Sequence, residues 1–197
     1  MHDRSSAADP QAPLAAGRYR VDFALGQDGM GTVYAVTEVS TASWRSKRPR
    51  TDGGRAESTA RASDQLHREY HLLAELSHPS IIRVFAYGLD DDGPFYTMEL
   101  LSGHSLAQEG VLDGRRTCEL ARDIASSLAV IHARRLVHRD VTLGNIHNDA
   151  ARGRCKLLDF GAVMSSGIPA SVVGTPPYLP PQVSSIRRST AAYGAHI

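Results

Sequence analysis

The chain reads as an α+β protein: an antiparallel sheet carrying one helix, followed by a part that begins as helix and loop. Three observations predict this. Apolar residues alternate with polar ones at Tyr19, Val21 and Phe23, and again at Val33, Tyr34 and Val36 around a glycine cluster. Leu66, Tyr70, Leu73 and Leu76 then fall at helical spacing between two strand-like stretches. Finally, Leu120, Ile124, Leu128 and Ile131 define one face of a second helix beyond the strands.

Residues 1–17 are rich in Ala, Ser, Asp, Pro and Gly and read as a flexible leader. From Tyr19 the pattern is strand, a tight turn through Gly26, Gly29 and Gly31, and strand again. The stretch 51–63 contains Gly53-Gly54 and little apolar content, so it is expected to be a loop. The helix through Leu66–Leu76 closes at His78-Pro79. Ile81, Ile82, Val84, Phe85 and Tyr87 form a strand, and Asp90-Asp91-Asp92-Gly93-Pro94 turns the chain into a returning strand from Phe95 to Leu101. A junction is expected near Ser102–Leu106. The second helix runs from Cys118 to His132, and a short strand from Cys155 to Leu158 leads into Asp159.

Bulk properties narrow the function classes. At 197 residues the chain holds one domain, or one lobe plus part of another, and its 42% apolar content suits a globular core. A net charge of +1 gives no bulk electrostatic case for nucleic acid or an anionic membrane, and the basic run Arg45–Arg50 is diluted elsewhere. Cys118 and Cys155 lie far apart without metal-ligand spacing, so both are expected to be reduced, buried thiols. No run approaches the roughly 20 apolar residues of a membrane span, and the N-terminus lacks a signal-peptide core. A cytoplasmic protein is the expectation.

The chemistry concentrates in His138-Arg139-Asp140-Val141-Thr142-Leu143-Gly144-Asn145 and in Asp159-Phe160-Gly161. Two carboxylates and an amide at this spacing suit phosphoryl transfer, where one carboxylate orients the attacking hydroxyl and the other two groups hold Mg²⁺. The pair resembles the catalytic and metal-binding loops of the protein kinase family. Leu25-Gly26-Gln27-Asp28-Gly29-Met30-Gly31-Thr32-Val33-Tyr34 resembles that family's glycine-rich phosphate loop, with Asp28 where a glycine is usual. The bland alternative for this run is a plain glycine hairpin.

The resemblance implies a protein-kinase-like fold with ATP and Mg²⁺ as cofactors. Asp140 is then the catalytic base or hydroxyl-orienting group, and Asn145 and Asp159 are the Mg²⁺ ligands. Leu25, Gly26, Gly29, Gly31 and Val33 contact the nucleotide. Lys47, sixteen residues after Gly31, contacts phosphate oxygens, and Glu69 on the first helix is its partner. A slip of one residue would give the lysine position to Arg48, and a solvated basic edge is the alternative for both. Met98-Glu99-Leu100-Leu101-Ser102-Gly103 resembles the hinge, where the Glu99 carbonyl and the Leu101 backbone groups would bond adenine. His138 is expected to brace the loop, and Arg139 resembles arginines that pair with an activation-segment phosphate. Gly174-Thr175-Pro176-Pro177-Tyr178 through Gln182 resembles the substrate-docking end of that segment. Thr175 points to Ser/Thr acceptors, and Ser165, Ser166, Ser171 and Thr175 are candidate modification sites.

Four departures temper the enzyme reading. Asp28 faces anionic phosphates, Arg45 replaces a small apolar residue beside adenine, Thr142 replaces a lysine, and Gln182 replaces a glutamate. The resemblance runs from about Tyr19 to Val183, and 184–197 reads as an unrelated tail of a truncated product. The expected function is a Ser/Thr protein kinase of the bacterial type, acting on a protein Ser or Thr hydroxyl, with no nucleic acid partner. The alternative is an impaired kinase-like module that binds nucleotide or a partner.

Overall fold

The computed structural model describes residues 13–14, 18–27, 31–38, 43–49, 56–165 and 175–178. The chain divides into two compact units, Met1–Ser102 and Gly103–Ile197. Asp28, Gly29, Ser166, Ser171, Gly174, Gln182 and the tail 184–197 lie outside the described residues, as does the leader 1–17 apart from Pro13–Leu14.

The first unit is built on a six-stranded antiparallel sheet. Its strands are β1 (Pro13–Leu14), β2 (Tyr19–Gln27), β3 (Gly31–Glu38), β4 (Ser43–Pro49), β5 (Val84–Asp90) and β6 (Gly93–Glu99). They lie in the order β1-β2-β3-β4-β6-β5. Alternation sorts the side chains onto two faces. On one face Tyr19, Val36 and Phe95 are buried together, with Val21, Tyr34 and Trp44 packed against them. Tyr19 meets Phe95 edge-on at 6.3 Å, an arrangement aromatic quadrupoles favour. Gly31 is required by a close approach: a Cβ there would lie 2.1 Å from the Arg48 carbonyl oxygen.

Helix α1 (Ala56–Glu75) packs against strands β4, β5 and β6. Leu66, Leu73 and Leu76 are buried, each burial contributing about 1.5–3 kcal/mol. The helix starts within the stretch expected as a loop. Residues 56–63 carry no large apolar group to set a period, but Ala60, Arg61 and Ala62 are strong helix formers, and propensity extends the helix upstream of its buried face. The helix ends at Glu75, three residues before the expected close at His78-Pro79; Pro79 disfavours a helical His78, whose ring instead accepts the Ser80 N–H at 3.1 Å. The following strand begins at Val84, not Ile81. Ile81 and Ile82 are both buried, so this stretch departs from the alternating pattern of a sheet strand.

In the second unit, helix α2 (Gly114–Ala133) begins four residues before the expected start. Asp113 caps it by accepting the Arg116 N–H at 2.8 Å, worth about 1 kcal/mol. Short strands follow: β7 (Gly103–Ser105), β8 (Leu136–Val137), β9 (Ile146–Asp149), β10 (Arg154–Leu157) and β11 (Met164–Ser165). β9 pairs with β10 and β7, and β8 with β11. Leu120 and Ile131 bury the inner face of α2, and the Cys155 thiol lies 3.6 Å from the Leu120 carbonyl. Cys155 is buried as expected. Cys118 is exposed, because it lies on the opposite side of α2 from Leu120 and Ile131.

Candidate functional site

The first unit brings Lys47 and Glu69 together. Sheet register explains how. Gly26 pairs with Val33, Val33 with Lys47, and Lys47 with Tyr96, so these residues form one cross-strand row on a single face. That row lies on the face opposite Phe95, and α1 sets Glu69 over it. Lys47 Nζ donates to both Glu69 oxygens, at 3.0 and 3.1 Å, with the two side chains 4% and 2% exposed. The Tyr96 hydroxyl also donates to Glu69 Oε1 at 3.1 Å. Two charges this deeply removed from water persist only because each satisfies the other. Nothing in the sequence singled out Tyr96, although its place opposite Lys47 follows once the strand register is known.

Arg48, the other candidate for that position, follows the same alternation. Arg48 points to the other face, where its guanidinium lies 5.2 Å over the Phe95 ring and forms a two-pronged ion pair with Asp90. Arg45 shares the Lys47 face and donates from Nη2 to the Leu101 carbonyl at 3.2 Å. The Glu99 carboxylate is occupied within the unit, accepting the Arg83 N–H at 2.9 Å. Leu25 is exposed and Val33 partly so.

In the second unit a hairpin closes the fourteen-residue gap between Asn145 and Asp159. Ile146 pairs with Leu157 at the open end of β9–β10, so the residues just outside it are neighbours. The Leu158 N–H donates to the Asn145 carbonyl at 2.8 Å, and Asp159 is next in the chain. Asp159 takes a left-handed backbone (φ 55°), and its Oδ1 accepts the Gly161 N–H at 3.3 Å. Such local acceptance makes that conformation tolerable for Asp.

Asp140 and Asn145 are in direct contact. Asn145 Nδ2 donates to Asp140 Oδ2 and to the Asp140 carbonyl, both at 2.9 Å. Thr142, standing where a lysine was expected, caps the short turn Leu143–Asn145: its Oγ1 accepts the Asn145 N–H at 3.3 Å. Thr175 adds a contact that its sequence position did not disclose. Its N–H and hydroxyl both donate to Asp140 Oδ1, at 3.0 and 2.7 Å. With its amide nitrogen turned to Asp140, Asn145 has its oxygen as the remaining donor toward a cation. An amide oxygen and a carboxylate are the hard ligands Mg²⁺ accepts.

His138 is almost fully buried and meets Phe160 edge-on at 4.9 Å. Burial pulls its pKa below the usual histidine value, against the opposing pull of Asp159, the Leu158 carbonyl and Asp140. A neutral ring suits the 3.4 Å contact in which Nδ1 accepts the Asp140 N–H. Arg139 is also left-handed (φ 66°) and donates from Nε to the Ala162 carbonyl at 2.7 Å. That bond ties the Asp140 loop to the segment after Asp159.

The protein kinase domain model matches residues 19–196. The chain is 32% identical over 186 residues to the serine/threonine-protein kinase pkn2 of Myxococcus xanthus, covering 88% of this chain and 22% of that protein. It is 33% identical over 189 residues to the serine/threonine-protein kinase PksC of Streptomyces coelicolor, covering 86% and 33%. It is also 32% identical over 191 residues to mitogen-activated protein kinase kinase kinase 3 of Mus musculus, covering 89% and 30%. The chain thus spans about a third or less of the length of these relatives. Among the described residues no helix is long and apolar enough to cross a membrane.

Proposed function

The chain belongs to the protein kinase domain family, and from that premise we propose that it transfers the γ-phosphoryl group of ATP to Ser or Thr hydroxyls of a protein. The observation that carries the reading is the contact set around Asp140. A carboxylate fixed by Asn145 on one oxygen and by Thr175 on the other is oriented by partners in two different segments. Asp140 orients the acceptor hydroxyl and receives its proton as the new P–O bond forms. The bond from the γ-phosphorus to the bridging oxygen breaks, and that oxygen leaves with the electron pair on ADP.

Lys47, held by Glu69, presents its ammonium to phosphate oxygens, a role for which a fixed cation costs no reorganisation. Gly26, Gly29, Gly31, Leu25 and Val33 receive the nucleotide, and the backbone groups of Glu99 and Leu101 bond adenine. Asn145 and Asp159 would hold Mg²⁺ through their oxygens, and its charge, when bound, offsets that of the phosphates.

One observation favours a second reading, an impaired kinase-like module that binds nucleotide or a partner without transferring phosphate. Arg45 engages the Leu101 carbonyl, one of the backbone groups that the adenine reading needs. Melting of the 197-residue chain with and without Mg-ATP, beside transfer of labelled γ-phosphate to itself and to a generic protein substrate, separates the two. A midpoint raised by Mg-ATP in the native chain but not in Lys47→Met, with label transferred, supports the kinase. A raised midpoint without transfer supports the second reading.

A further inference from the structure

We propose that His67 and His71 form a two-nitrogen site on the outer face of α1 for a divalent transition metal with tetragonal preference, Cu²⁺ or Ni²⁺. The two residues stand one turn apart on the helix, the spacing at which side chains become neighbours. Both are exposed. Their Nε2 atoms are 3.0 Å apart, close enough that neutral rings share one proton between two lone pairs. A cation that replaces this proton gains both nitrogens at once.

The separation selects the metal. With metal–nitrogen bonds of about 2.0–2.1 Å, two nitrogens 3.0 Å apart subtend roughly 95° at the ion. That is close to the right angle of adjacent ligands in a tetragonal complex and well short of tetrahedral. Imidazole pairs in tetragonal geometry suit Cu²⁺ and Ni²⁺.

The rings are also held before any metal arrives. His67 packs edge-on against Tyr87 at 5.1 Å, and His71 against Tyr70 at 5.4 Å. Such packing removes part of the ordering cost that loose surface histidines would meet on binding. Among the described residues no group of three or more His, Cys, Asp or Glu is placed to hold a metal. The described residues therefore supply two donors and water the rest, which sets an exchangeable site. Glu69 lies between the two histidines in sequence but turns inward to Lys47, so this site is separate from the one already described. Binding closes a clamp across the helical turn that carries Glu69.

The test is titration of the full chain with Ni²⁺ by calorimetry, with melting at saturating Ni²⁺. His67→Ala and His71→Ala remove one donor each at exposed positions, and His132→Ala removes an exposed histidine on α2. The expected result is one Ni²⁺ site whose affinity falls about tenfold or more in either α1 variant and is unchanged in His132→Ala. Ni²⁺ should raise the melting midpoint of the native chain and of His132→Ala only. Equal binding by all four proteins, comparable loss in all three variants, or no binding overturns the proposal. Circular dichroism of the metal-free variants, expected to match the native chain, verifies that lost binding reflects the lost donor.

Discussion

Thr175 donates its backbone N–H and its hydroxyl to the same oxygen of Asp140, at 3.0 and 2.7 Å. Hydrogen bonds to a charged acceptor contribute about 1.5–3 kcal/mol each, so the pair fixes the orientation of the carboxylate. Thr175→Val keeps the shape and the N–H but removes the hydroxyl. The transfer rate should fall by about ten- to a hundredfold, the factor that this energy range corresponds to. Thr175→Ser should retain most of the rate. Equal rates in all three would remove Thr175 from any role in positioning Asp140.

The Lys47–Glu69 pair makes a prediction about stability that does not depend on activity. Glu69→Gln or Lys47→Met leaves a buried charge without its counterion, and each should lower the unfolding free energy by about 3–5 kcal/mol. The double variant Lys47→Met/Glu69→Gln should lose far less than the sum of the two. Urea denaturation of the four proteins measures the coupling, and additive losses would mean the pair contributes no mutual stabilisation.

His138 gives a pH dependence of definite sign. Burial lowers its folded pKa, so below about 6.5 the unfolded chain binds a proton that the folded chain refuses. Its contribution is therefore fully present above that pH and is lost as pH falls toward the depressed folded value. Unfolding free energies at pH 7.5 and 5.5 should differ more in the native chain than in His138→Gln. An identical difference in both would locate the acid sensitivity elsewhere.

The two thiols should separate by rate. Burial, with Asp123 nearby, raises the Cys155 thiol to about 11, while Cys118 is exposed on α2. At pH 8 a thiol reagent should label one cysteine rapidly and the second only in denaturant. Two fast thiols in the folded protein would contradict the packing of Cys155 against α2.

Much of this was legible in the sequence where chemistry and period coincide. The β2–β3 pair, the buried face of α1 and the Asp140-to-Asn145 spacing all rest on residue types that allow few other placements. The start of α1 was not legible, because Ala60, Arg61 and Ala62 stabilise helix through propensity without leaving an apolar stripe. The opposite faces and partners of Lys47 and Arg48 needed strand register, since adjacent residues differ only in which face they occupy. The contacts of Thr175 with Asp140 and of Arg45 with Leu101 span 35 and 56 positions. No local pattern encodes pairings of that length.

The account rests on Asp140 as the group that orients a hydroxyl toward a phosphoryl group. The most direct measurement is the initial rate of labelled γ-phosphate transfer from Mg-ATP by the 197-residue chain and by Asp140→Asn, at matched folded fractions. The account predicts transfer by the native chain and a loss of at least about a hundredfold in the variant, the scale attached to removing a positioned acid–base group. Native transfer that persists unchanged in Asp140→Asn would contradict it.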